Sequence, residues 1–217
     1  MTAYGAKILG TGMYHPPRVV TNHDLAEIMD TSDEWIQQRS GIVTRHYVDE
    51  GVSTSDLAMH ASQEALQRAG MEASDLDMIV VASFTSDHFF PGVSALLQRK
   101  LGCELTPAMD VKCQCTGFLY ALKTAHAFVA SGMYERVLVV GAEVHSNGLE
   151  FSDRGRDTAV LFGDGAGALI LIRERALGGG HHPLRARVHR HRLAQRPRSR
   201  PPSARTVRAS TRCRFTR

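Results

Sequence analysis

Residues 110–120 read DVKCQCTGFLY, and Cys115 stands where a short extended run gives way to the first turn of an apolar helix. The start of a helix offers backbone N–H groups without intrahelical partners and a partial positive charge. Both favour a thiolate over a thiol. A thiolate attacks thioester carbonyl carbons and can hold the acyl group as an enzyme-bound thioester. The competing reading is a small buried hydrophobe, and position alone leaves it open. Cys113 forms Cys-x-Cys with Cys115. No second Cys/His pair at finger-like spacing accompanies it, and a redox pair more usually has the form Cys-x-x-Cys. If the segment is extended, both thiols point to one side, so Cys113 is read as a neighbour rather than a ligand. No metal site is expected.

Trp35 is the only tryptophan, and Arg39 follows one helical turn later. A ring and a guanidinium on one helix face can grip a flat base, or can simply cover their own helix. DRGRD (153–157) reads as a charged loop between strands. GDGAG (163–167) invites a nucleotide reading, but a phosphate cradle needs a helix after the glycines, and ALILIR is a strand. The glycines are read as a tight turn between two strands over 157–173.

These residues need elements to position them. AKILGTGMY (6–14) reads as a strand, and 21–29 and 32–41 read as short capped helices. Residues 41–48 form an extended, hairpin-like piece. Leu57, Ala58, Ala61, Ala65, Leu66 and Ala69 keep helical spacing over 54–70, and Gly70 ends that helix. LDMIVVASF (76–84) and RVLVVGAEV (136–144) are apolar runs of strand length, as in a sheet buried on both faces. Helices over 91–102 and 116–132 flank an extended piece at 104–111. The second of these helices is apolar around most of its circumference, which predicts burial. Strands alternating with helices predict a mostly parallel sheet.

The 217 residues carry a formal net charge of +4, which hides a split. Residues 178–217 hold 12 Arg and no acid; residues 1–177 hold the other 14 basic residues against all 22 acids, a net −8. From Gly178 no period survives, and the segment cannot bury enough apolar area to offset chain entropy. It reads as a disordered tail, and the abrupt change after a well-formed strand points to a shifted reading frame. Nucleic acid could bind it only non-specifically, through arginine. Cysteines at 103, 113, 115 and 213 show no disulfide framework, no apolar run has membrane-spanning length, and no signal segment is read at the start. A reducing cytoplasm is expected.

Taken in order, DEWIQQRSGI, SFTSDHFFPG, DVKCQCTGF, LVVGAEV, SDRG and LFGDGAGA resemble the signatures of β-ketoacyl-acyl-carrier-protein synthase III, the condensing enzyme that starts type II fatty acid synthesis. The resemblance spans residues 5–173. It implies the N-terminal half of a thiolase-like fold over residues 1–177: a mostly parallel five-stranded sheet with helices on both faces. It implies that Cys115 is the nucleophile. Trp35 and Arg154 resemble the pair that sandwiches the coenzyme A adenine, with Arg39 and Thr31 as nearby contacts. Phe90 resembles the residue that reaches across a homodimer to shape the partner's acyl pocket. His145 falls where many members have an apolar pocket residue, which argues against a simple short-acyl specificity. Lys112, Cys113 and Gln114 also depart from the small-residue run of many members.

The substrates so implied are acyl-CoA and malonyl-acyl-carrier-protein, with no bound cofactor. The family's enolate-stabilising His and Asn come from a second half. The histidines at 181, 182, 189 and 191 match no such motif, so this chain is expected to be inactive alone. Two alternatives remain at this stage. One is a related acyltransferase of secondary metabolism. The other is a non-catalytic fragment that associates with a full-length partner, or with nucleic acid through the tail.

Overall fold

The computed structural model describes residues 4–103 and 105–174. The readings made for 178–217 lie outside the described residues. Chain order is β1 (Gly5–Tyr14), β2 (Arg18–Thr21), α1 (Asn22–Ala26), α2 (Asp33–Ser40), β3 (Thr44–Tyr47), α3 (Thr54–Ala69), β4 (Met78–Ala82), α4 (Val93–Leu101), β5 (Ala108–Val111), α5 (Gly117–Ser131), β6 (Arg136–Glu143), α6 (Arg156–Ala159) and β7 (Gly165–Glu174).

Five strands form one sheet in the order β1-β7-β6-β4-β5. β4 pairs parallel with both β5 and β6, whereas β7 runs antiparallel to both β6 and β1. Four strands therefore point one way and β7 alone opposes them, the mixed form of the expected sheet. All five residues of β4 are buried. Ile79 and Val81 pack with Ala61 of α3 and Leu97 of α4 on one face. Met78, Val80 and Ala82 pack with Ala121, Ala125 and Val129 of α5 on the other. Alternation along a strand serves both faces, so a central strand reads as a continuous apolar run.

Helix α3 lies unusually close to β1, and glycine makes this possible. A Cβ added to Gly12 would lie 2.1 Å from the Ala61 carbonyl oxygen, and one at Gly10 would lie 2.4 Å from that of Ala65. Helix α5 touches the sheet through Gly117, Ala121, Ala125 and Val129, a stripe four residues apart. Only this stripe is fully covered: Leu119 and Tyr120 are exposed. The burial expected all round this helix is thus met on one face only among the described residues.

Two local readings are corrected. The extended piece at 41–48 does not turn back on itself; β3 pairs antiparallel with β2, which the sequence reading passed over because four residues carry little period. Residues 157–164 do not form a strand. The carbonyl of Gly155 accepts from the N–H groups of both Thr158 and Ala159, which closes α6 instead. A run such as DTAVLF fits either element, and tertiary contact decides.

Candidate active site

Between β5 and α5 the backbone bends sharply. Gln114 has φ 38°, the only positive φ of a non-glycine among the described residues, and residues Gln114–Thr116 form a 3-10 turn before α5 starts at Gly117. Such a conformation is strained for a residue with a Cβ, and strain of this kind collects at functional positions. The segment is therefore not extended, and the alternation that would put Cys113 and Cys115 on one side does not apply. Cys113 Sγ lies 3.5 Å from Thr116 Oγ1. Cys115 is exposed and lines a cleft of about 620 Å3 with Phe84, Phe118, His145, Leu149 and Phe162. A Cβ at Gly141 would lie 3.0 Å from the Phe118 ring, so glycine there lets that ring form the floor.

Two carboxylates, buried Asp164 and half-buried Glu143, fix the walls of the cleft. Asp164 accepts from Val48 N–H at 2.8 Å, Ser146 N–H at 2.9 Å and Ser146 Oγ at 2.5 Å. It thereby clamps the loop that carries His145. Glu143 accepts from the N–H groups of Phe84 and Thr85 and from the Thr85 hydroxyl, at 2.9, 3.0 and 2.6 Å. That holds the turn bearing Phe84. Neither carboxylate was singled out from sequence. Asp164 sits inside GDGAG, and nothing in that short glycine-rich run marks its acid as buried.

Trp35, Arg39 and Thr31 belong to a different region, around α2. Arg39 lies over the Trp35 ring at 4.1 Å. The second guanidinium over that ring is Arg156, at 4.7 Å. Arg154, which the resemblance puts on the far side of an adenine from Trp35, pairs with Glu150 at 3.4 Å and is almost fully exposed. The turn at 153–155 sends Arg154 outward, and the start of α6 aims Arg156 back. Thr31 carries a buried hydroxyl that has no hydrogen-bond partner among the described residues.

The α1–α2 unit is anchored by buried Arg45. Its guanidinium donates to Asn22 Oδ1 at 2.7 Å and to the Val160 carbonyl at 3.2 Å. Asn22 passes the contact on to Asp33 and to the Ile42 carbonyl, both at 2.8 Å. Burial pushes the Arg45 guanidinium pKa down. Arg45 and Arg156 were both missed, because no short motif marks a residue that holds others in place. Phe90 is 86 % exposed, far from complete burial in this chain, and precedes a cis peptide to Pro91. Among the described residues no group of three or more His, Cys, Asp or Glu is placed to hold a metal ion, and no helix is long and apolar enough to cross a membrane.

Comparison with known proteins joins these observations. The family model for 3-oxoacyl-[acyl-carrier-protein (ACP)] synthase III matches residues 109–186. Beta-ketoacyl-[acyl-carrier-protein] synthase III 1 of Bacillus anthracis is 48% identical over 164 residues, which are 76% of this chain and 52% of that protein. The crystal structure of 3-oxoacyl-[acyl-carrier-protein] synthase III from Aquifex aeolicus VF5 is 44% identical with a TM-score of 0.75, covering 78% of this chain and 54% of that one. The priming β-ketosynthase of the R1128 polyketide biosynthetic pathway is 32% identical with a TM-score of 0.76, covering 80% and 51%.

A mixed sheet between helix layers, with a cysteine at the head of α5, is the thiolase-like fold of condensing enzymes. Within that class, the chain belongs to the β-ketoacyl-acyl-carrier-protein synthase III family. It spans about half the length of the curated relatives it matches.

Proposed function

We propose that this chain carries the acyl-loading site of a condensing enzyme of fatty acid biosynthesis. The observation that carries the reading is Cys115 in the apolar cleft, at the head of α5 and directly after the strained Gln114. The Cys115 sulfur, as thiolate, attacks the carbonyl carbon of an acyl-CoA thioester. The bond from that carbon to the coenzyme A sulfur breaks. The coenzyme leaves as a thiolate and takes up the proton that Cys115 released. The free N–H groups and positive end of α5 favour negative charge on the attacking sulfur. In the second stage malonyl-acyl-carrier-protein loses carbon dioxide, and the resulting enolate carbon attacks the acyl-cysteine and regenerates the thiolate. That stage needs hydrogen-bond donors at the enolate oxygen. Among the described residues lining the cleft there is one imidazole, His145, and no Asn. The chain therefore loads acyl groups but does not condense them alone.

Trp35 offers a face for the coenzyme A adenine, with Arg39 and Arg156 already stacked on it and Arg154 two residues from Arg156. Phe90 and the fully exposed Phe89 favour pairing with a second copy, in which Phe90 enters the partner's cleft. A priming role in polyketide synthesis is the second reading, favoured by the close fit to the R1128 ketosynthase. The test is intact-mass analysis of the purified 217-residue chain after exposure to acyl-CoA. One acyl mass is expected, absent from Cys115→Ser, and added malonyl-acyl-carrier-protein is expected to yield no β-ketoacyl product. Acylation that survives in Cys115→Ser would remove Cys115 from the chemistry. Trp35→Ala is expected to weaken acyl-CoA use by about 1–3 kcal/mol, the scale of a base stacked on an aromatic ring.

A further inference from the structure

The Cys115 cleft is apolar at Phe84, Phe118, Leu149 and Phe162, yet His145 turns an imidazole into it. The ring lies against Phe162, with centroids 4.6 Å apart and planes inclined at 35°. His145 is half-buried, and among the described residues neither ring nitrogen has a hydrogen-bond partner. Asp164 holds both the N–H and the hydroxyl of the adjacent Ser146, which fixes the backbone that carries the ring. An acyl group that fills the cleft displaces water from the imidazole, and a ring nitrogen then left without a partner is costly unless the occupant supplies one. A neutral imidazole has one donor and one acceptor nitrogen, so it matches an oxygen that can accept, or both accept and donate. Among the described residues that line this cleft the one carboxylate is Glu143 and there is no Lys or Arg, which disfavours an acidic acyl group; Lys112 lies over the Phe84 ring at 5.5 Å rather than in the lining.

We infer that His145 is a specificity-determining residue that selects acyl groups bearing a neutral hydrogen-bonding oxygen, a hydroxyl or a keto group, over the matching hydrocarbon chains. The inference rests on the proposed loading of Cys115. It concerns recognition only and adds no chemical step.

The probes are N-acetylcysteamine thioesters in matched pairs: butyryl against 3-hydroxybutyryl, and pentanoyl against 4-oxopentanoyl. Initial rates of Cys115 acylation are read by intact mass on the 217-residue chain. At least one oxygenated member is expected to load about two- to tenfold faster than its hydrocarbon partner, the scale of one neutral hydrogen bond. His145→Leu is expected to abolish or reverse that preference, and His145→Asn to retain part of it. Equal rates within both pairs in the unsubstituted chain overturn the inference and leave acyl loading standing. If no thioester loads Cys115, the loading proposal fails, and calorimetry of the same pairs on Cys115→Ser decides the inference. A two- to tenfold preference in binding then supports it, and equal binding or none overturns it.

Discussion

Asp164 should hold the cleft together, and its removal can be given a magnitude. In Asp164→Ala three donors lose their acceptor: Val48 N–H, Ser146 N–H and Ser146 Oγ–H. Val48 is 5% exposed, so water cannot replace the carboxylate there, whereas Ser146 is only half-buried and regains some solvation. A buried donor left unsatisfied costs about 1–3 kcal/mol, with bonds to a charged group at the upper end. The Val48 donor at about 2–3 kcal/mol and the two Ser146 donors at about half that each give roughly 4–6 kcal/mol in total. Domain stabilities are only about 5–15 kcal/mol, so the variant should be barely folded. Asp164→Asn keeps one acceptor oxygen but turns an amide N–H toward the same donors, and should lose about half as much. Trp35 is the single tryptophan, so its fluorescence follows urea unfolding without labelling. With a urea slope of about 2 kcal/mol per molar, Asp164→Ala should move the midpoint down by roughly 2–3 M. A shift below about 0.3 M at unchanged slope would show that these three bonds contribute little, and that Asp164 does not fix the His145 loop.

Gly12→Ala should destabilise by about 3 kcal/mol in the same assay, because the new Cβ meets backbone atoms of α3 that cannot step aside. Gly167→Ala, where a Cβ meets nothing within 4 Å, should change stability by less than about 0.5 kcal/mol; equal losses at the two sites would discredit the close-approach account. Asp24 is held below the usual carboxylate range by the backbone N–H and hydroxyl of Thr21, and Asp33 by the side-chain amides of Gln37 and Asn22. Their folded pKa values lie below the unpaired value of 3.8, so their contribution is complete above that pH and lost as pH falls through the lowered values. The urea midpoint read by Trp35 should therefore decline between about pH 4 and pH 2, and a midpoint that stays level to pH 2 would contradict both assignments. Iodoacetamide should modify exposed Cys115 before half-buried Cys113, and Cys103 last, since burial both shields its thiol and pushes its pKa up. Mass spectrometry of early time points checks the order, and labelling of Cys103 first would refute it.

Local signals settled most of the elements. Apolar spacing and Gly70 define α3, Thr21 with Asp24 caps α1, and Ser32 caps α2, each through contacts within a few residues of chain. The same kind of signal placed Cys115 at a helix head, and the run of matched motifs identified the family from residues alone. Tertiary structure alone decided the rest, because it depends on residues far apart in the chain. DTAVLF became a helix turn rather than a strand, which put Arg156 and not Arg154 over Trp35. Arg45 reaches Val160 across more than a hundred residues, and Asp164 reaches Val48 across as many. No window of sequence reports such contacts, since their geometry exists only after folding has brought β3 beside the segment that leads into β7. The cleft shared by Cys115, His145 and Phe162 is of this kind: its residue types are legible in sequence, but their convergence is fixed by the bend at Gln114 and the clamp at Asp164.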